Sequence, residues 1–147
     1  MHRTLIVALA ACVSFAPAAR ADPTQQNSSQ NPVVQQVFDQ PTNVAGKSLK
    51  TVTVSYPPGA KSAAHHHASS AFIMAYVISG AIRSQLDGEP ARVYHAGETW
   101  QETPGAHHTI SENASATEPA ELLAVFLVDT GDGPLTTDDA VADEQPR

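Results

Sequence analysis

Between residues 49 and 56 apolar and polar side chains alternate, the period-two pattern of a strand with one buried face. Ahead of it Val33, Val34, Val37 and Phe38 form an apolar segment, and residues 41–46 a turn. Behind it, Gly and Pro cut the chain into short pieces. Residues 72–78 are an apolar run closed by Ser79-Gly80. Residues 81–86 alternate, with Ile82, Ser84 and Leu86 on one face and Arg83 and Gln85 on the other. Asp87-Gly88 is a tight-turn signal, and residues 91–95, 98–102 and 107–112 read as further strands. Residues 121–128 form the most apolar strand, with Leu122, Leu123, Val125, Phe126 and Leu127 expected inside. No helical apolar period occurs from residue 49 to 128. Roughly six to eight short strands with turns about every ten residues predict an all-β, antiparallel sandwich or barrel.

The ends change the picture. His2 and Arg3, the apolar residues 5–15 and Ala19-Arg20-Ala21 have the layout of a cleaved signal peptide over residues 1–21, so a periplasmic or secreted location is expected. Leu9-Ala10-Ala11-Cys12 also resembles a lipobox, which would anchor the chain at Cys12 instead. Residues 22–43 read as a flexible leader and N-terminal segment, 44–130 as one folded domain, and 131–147 as a loosely ordered acidic tail. No run is long enough for a membrane-spanning helix. Cleavage removes the only cysteine, so the fold needs no disulfide. Without Arg3 and Arg20, six of the eight Lys and Arg remain against fifteen Asp and Glu. That balance argues against nucleic acid or an anionic membrane as partner and for a small-molecule ligand.

The candidate chemistry lies in histidines. In His65-His66-His67, following Pro57-Pro58-Gly59, a strand would point His65 and His67 to one face and His66 to the other. His107-His108 follows Pro104-Gly105, and only one of those two can face the same side. Three nitrogens around a metal are therefore suggested, a histidine-rich exposed loop being the plain alternative. No Gly-x-Ser-x-Gly elbow, phosphate loop or dinucleotide fingerprint is present.

These residues resemble the cupin superfamily. Its first motif, Gly, five residues, His-x-His, a spacer, Glu, six residues, Gly, is matched by Gly59, His65 and His67, with Gly80 as the closing glycine and Ile73 in the glutamate slot. Its second motif, Gly, five residues, Pro-x-Gly, two residues, His, is approached by Gly97, Pro104-Gly105 and His108, the proline displaced by one. Asn113 stands one place beyond the family's usual asparagine.

The resemblance implies an antiparallel jelly-roll β-barrel holding a divalent transition metal on His65, His67 and His108. The usual glutamate ligand is missing from its place. Glu102, near the end of the strand entering Pro104, is the candidate replacement, as ligand and as the one catalytic carboxylate, with Gln85 the second candidate, as ligand or hydrogen-bond partner; Gln85 and Trp100, which shares a face with Glu102, are candidates for a substrate pocket. Imidazole and carboxylate donors suit Mn, Fe, Co, Ni, Cu or Zn and leave open positions. Dioxygenase-like or isomerase chemistry on a small oxygenated molecule is implied, with the metal as Lewis acid or oxygen-binding centre; a non-catalytic binding protein is the alternative. Because imidazole ligands must be deprotonated, metal loss is expected below pH about 6. A homodimer, through the sheets or the segment from Val33 to Phe38, is a further expectation.

Overall fold

The computed structural model describes residues 31–140, and all of its regular structure is strand. The signal-like residues 1–21 with Cys12, the leader before residue 31 and the last seven residues lie outside the described residues. In chain order the strands are β1 (Val33–Pro41), β2 (Lys47–Tyr56), β3 (His65–His67), β4 (Phe72–Ser79), β5 (Ala81–Leu86), β6 (Arg92–His95), β7 (Thr99–Glu102), β8 (His107–Asn113), β9 (Ala120–Asp129) and β10 (Thr136–Asp138). They form two five-stranded antiparallel sheets, ordered β1-β2-β9-β4-β7 and β10-β3-β8-β5-β6. This is the antiparallel sandwich that the strand count and turns led us to expect, in the jelly-roll form that the family resemblance implied. No helix among the described residues is long and apolar enough to cross a membrane.

Alternation fixes what each strand buries. In β4, Ile73, Ala75 and Val77 point inward, while Phe72, Met74, Tyr76 and Ile78 are exposed on the outer face. In β9, Ala120, Leu122, Ala124, Phe126 and Val128 point inward. The sequence expectation for β9 is therefore corrected: period two sends Leu123 and Val125 to the half-buried face and leaves Leu127 exposed, however apolar they are. Ile73, Val77, Ile82 and Val128 are fully buried, each contributing on the order of 1.5–3 kcal/mol.

Two segments differ from expectation. Val33 to Phe38 is not merely apolar padding but an edge strand paired with β2, with a bulge between Gln36 and Phe38. Part of the acidic tail is ordered: Thr136, Thr137 and Asp138 pair with His67, His66 and His65. Apolar periodicity could not reveal this strand, because backbone pairing holds it and only the neighbouring Leu135 packs on the core.

Candidate metal centre

Strand β3 lies between β10 and β8, and the alternation along it does what the sequence required. His65 and His67 point inward and are 7% and 9% exposed; His66 points outward. Across the β3–β8 pair His65 stands opposite His108 and His66 opposite His107. His108, 3% exposed, therefore joins the inner pair. One ligand atom from each of His65, His67 and His108 lies within 4.8 Å of the other two.

Each ring is oriented by a second partner. His65 Nδ1–H donates to the Ala63 carbonyl at 2.8 Å, and His67 Nδ1–H to the Leu135 carbonyl at 3.3 Å, which leaves each Nε2 lone pair free. His108 Nε2 is 2.9 Å from Ser84 Oγ. With Nε2–H donating to that hydroxyl, Nδ1 is bare on the side of Glu102, 3.6 Å from Oε1. Such outer bonds fix the tautomer of metal-ligating imidazoles.

Glu102 ends β7, 3% exposed. Trp100 Nε1–H donates to its Oε1 at 2.9 Å. Its Oε2 lies 2.8 Å from His67 Nε2, yet the two are not aligned as an N–H···O bond, and both are buried without a hydrogen-bond partner. Unsatisfied buried polar atoms cost about 1–3 kcal/mol each. Their spacing is that of adjacent ligands on one ion, since two atoms each about 2.0–2.2 Å from a cation at a right angle stand ~3 Å apart. The inward imidazoles of His65, His67 and His108 thus form a set that fits a divalent transition metal, with Glu102 lying against it through His67.

The electrostatics point the same way. Burial pushes His108 down to about 4, reinforced by His65 and His67 and opposed by the Glu102 carboxylate. Burial also lowers His65, the Ala63 carbonyl opposing it. Both rings are thus neutral, with lone pairs available, at neutral pH. Burial alone would raise Glu102, but its contact with His67, the field of His108 and His67, and the Trp100 bond outweigh it, so the carboxyl is held below its ordinary value.

The cluster opens into a cavity of about 280 Å³ between the sheets. Its walls are mostly apolar, with Val52, Ile73, Leu122, Phe126 and Trp100 prominent. Also lining the cavity, the Tyr56 hydroxyl bonds to Ser111 Oγ at 2.8 Å and Ser62 Oγ at 3.0 Å, and burial raises the phenol above its ordinary value. Among the described residues, no Lys or Arg lines the cavity.

The structure therefore brings together His65, His67, His108, Glu102 and Trp100. It does not bring Gln85. That residue shares the outer face of β5 with Arg83, and its amide donates to the Glu89 carbonyl at 2.8 Å, so its expected place in the pocket is corrected. Ile82 and Ser84 hold the inward positions of that strand. Sequence reasoning did not assign roles to Ser84, Tyr56, Ser62 or Ser111; the alternation did place Ser84 on the inward face, which was the available signal.

Compared with known families, the sequence matches the one described as Cupin domain over residues 52–126. A comparison with curated proteins finds no match. Among solved structures, an oxalate oxidase is similar with a TM-score of 0.57 and 23% identity, over 69% of this chain and 53% of its own, so this chain spans about half that protein's length. An uncharacterized conserved protein with a double-stranded β-helix domain from Klebsiella pneumoniae gives 0.58 and 21%, over 72% and 84%. KdgF from Halomonas sp. gives 0.55 and 19%, over 72% and 86%. At these identities the likeness is one of fold.

Proposed function

The chain belongs to the cupin family, and from that premise we propose that it is a divalent transition-metal cupin, dioxygenase-like, acting on a small, uncharged, oxygenated molecule in the inner cavity. One observation carries this reading: His67 Nε2 and Glu102 Oε2 are buried and unsatisfied beside two further inward imidazoles. His65, His67 and His108 would hold the metal, with Glu102 as fourth donor. When bound, the ion supplies Lewis acidity toward a carbonyl or enediol oxygen, or a site for dioxygen.

The chain's own residues do the rest. Trp100 Nε1–H holds Oε1 of Glu102, which leaves Oε2, buried 2.8 Å from His67 Nε2, as the oxygen available to the ion or, without one, to a proton. The apolar walls exclude water and favour a partly apolar ligand. The hydroxyl chain of Tyr56, Ser62 and Ser111 supplies neutral hydrogen bonds to a polar substituent; with its phenol raised, Tyr56 stays protonated at neutral pH. With no Lys or Arg lining it among the described residues, the cavity suits an uncharged molecule better than a multiply charged anion.

A second reading is a binding cupin without turnover, favoured by the fact that Glu102, the carboxylate in contact with His67, is at the same time the fourth metal donor. Loaded with Fe, Mn, Ni, Cu or Zn in turn, the protein is expected to consume oxygen or substrate from a panel of phenols, enediols and keto sugars. Ligand binding with no turnover across the panel decides for the binder. For location we propose the periplasm or the exterior, on the strength of residues 1–21. Cell fractionation with N-terminal sequencing tests this, and a cytoplasmic, uncleaved chain overturns it.

A further inference from the structure

The alternation that turns His65, His67 and His108 inward turns His66 and His107 outward, onto the far face of the same strands. Their rings stack, with centroids 4.1 Å apart and planes 11° from parallel. Both address one carboxylate: Asp139 Oδ2 lies 2.9 Å from His107 Nε2, and Oδ1 lies 3.8 Å from His66 Nε2. Asp139 follows β10 directly, and its backbone N–H donates to the Ala64 carbonyl at 2.9 Å, so the carboxylate is anchored beside the ring pair. On the other side, Asp87 Oδ2 is 4.0 Å from His107 Nδ1. That is beyond hydrogen-bonding distance, so in the metal-free chain the proton sits on His107 Nε2 and is donated to Asp139 Oδ2 at 2.9 Å; an ion bound there would replace it.

We propose that His66, His107 and Asp139 form a second divalent-metal site, separate from the inner one, that staples β10 to β3 and β8. One ligand atom from each lies within 4.8 Å of the others, and because the two stacked rings run nearly parallel, they must tilt for both nitrogens to turn toward one ion. Two imidazoles and one carboxylate select a borderline cation such as Zn, Ni, Co or Cu over Ca or Mg. The side chains of His66, His107 and Asp139 are 56%, 24% and 38% exposed, so water completes the shell and binding is weaker than in the buried triad.

The staple has a consequence inside. Strand β10 has three residues and lies at a sheet edge, yet Leu135, Thr136 and Asp138 line the inner cavity, and the Leu135 carbonyl accepts the His67 Nδ1–H. An ion outside would therefore hold a wall of the cavity in place.

The untagged chain, stripped by chelator and titrated with Zn²⁺ by calorimetry, tests this. H66A/H107A, whose changes fall on the outer face, is expected to bind one Zn²⁺ per chain fewer than the unaltered protein. D139N is expected to weaken that same site by at least about tenfold. Zn²⁺ should slow amide exchange over residues 136–139 in the unaltered chain and not in H66A/H107A. H65A/H67A reports on the inner site by itself, so failure there is read separately. Equal Zn²⁺ stoichiometry in H66A/H107A and the unaltered protein overturns the site; loss of one ion with no change of exchange at β10 overturns the staple.

Discussion

Ile73 and Glu102 are cross-strand partners in the antiparallel β4–β7 pair, both buried and both on the cavity wall. Ile73 occupies the place where the first cupin motif has its glutamate. On the proposed reading the carboxylate comes instead from the residue directly opposite, whose Cβ in such a pair is about 4.5–5.5 Å away. A carboxylate exchanged between the two positions therefore reaches nearly the same space. Glu102→Ile is expected to weaken metal binding about 10–100-fold by calorimetry, and Ile73→Glu/Glu102→Ile to recover affinity to within about tenfold of the original. Undiminished binding by Glu102→Ile would remove the carboxylate from the ligand set.

Acid should act on the metal-free fold in a defined window. His108 titrates near 6.5 when unfolded and at about 4 when folded, so between those values the unfolded chain holds more protons and stability falls as pH falls. At 1.36 kcal/mol per unit, the loss is about 3 kcal/mol, complete near pH 4. Glu102, lowered in the folded state, adds a loss in the same direction as pH drops below its unfolded value of 4.5. Urea midpoints in chelator should decline from pH 7 to about 4.5, and His108→Gln should flatten the decline. For the loaded protein, neutral His108 and His65 move metal release below the pH of about 6 that a free imidazole would set; half-release above pH 6 would contradict this.

The site was legible where strands are regular. Of three consecutive histidines on a strand, the first and third must share one face and the second take the other, and Trp100 and Glu102, two apart, must also share a face. Legibility failed at β8, where the register with β5 shifts between Gln85 and Leu86. His108 is inward, but beyond the irregularity the inward residues are Ser111 and Asn113, which strict counting from His108 would turn outward. With Ser111 hidden, its partner Tyr56 had no visible role. Strand β10 was invisible for another reason: pairing of main chain leaves no side-chain pattern.

Gly80 closes the first motif for a steric reason that a single substitution exposes. It adopts φ +70°, and a Cβ there would lie 2.6 Å from the Pro119 carbonyl oxygen and 2.8 Å from Ala120. Gly80→Ala therefore adds backbone overlap to the cost of a left-handed conformation, about 1–3 kcal/mol. Gly88, at φ +78° with open space around it, carries the conformational cost alone. Thermal unfolding should show Gly80→Ala melting well below Gly88→Ala, the gap measuring the overlap; equal melting would mean that the β9 entry moves aside freely.

Ser84 separates a ligand's position from its presence. Its hydroxyl is the one side-chain hydrogen-bond partner of His108, at 2.9 Å, and is itself buried. Ser84→Ala removes no donor to the metal and changes volume little, yet leaves His108 Nε2 unsatisfied in an apolar wall, at a cost of about 1–3 kcal/mol. It also frees the ring to choose which nitrogen faces Glu102. Loss of such an outer bond lowers metal affinity about 10–100-fold, with stoichiometry unchanged. Ser84→Thr keeps the hydroxyl and should restore most of the affinity, whereas a merely structural Ser84 would give Ala and Thr variants that differ in urea midpoint but bind metal alike.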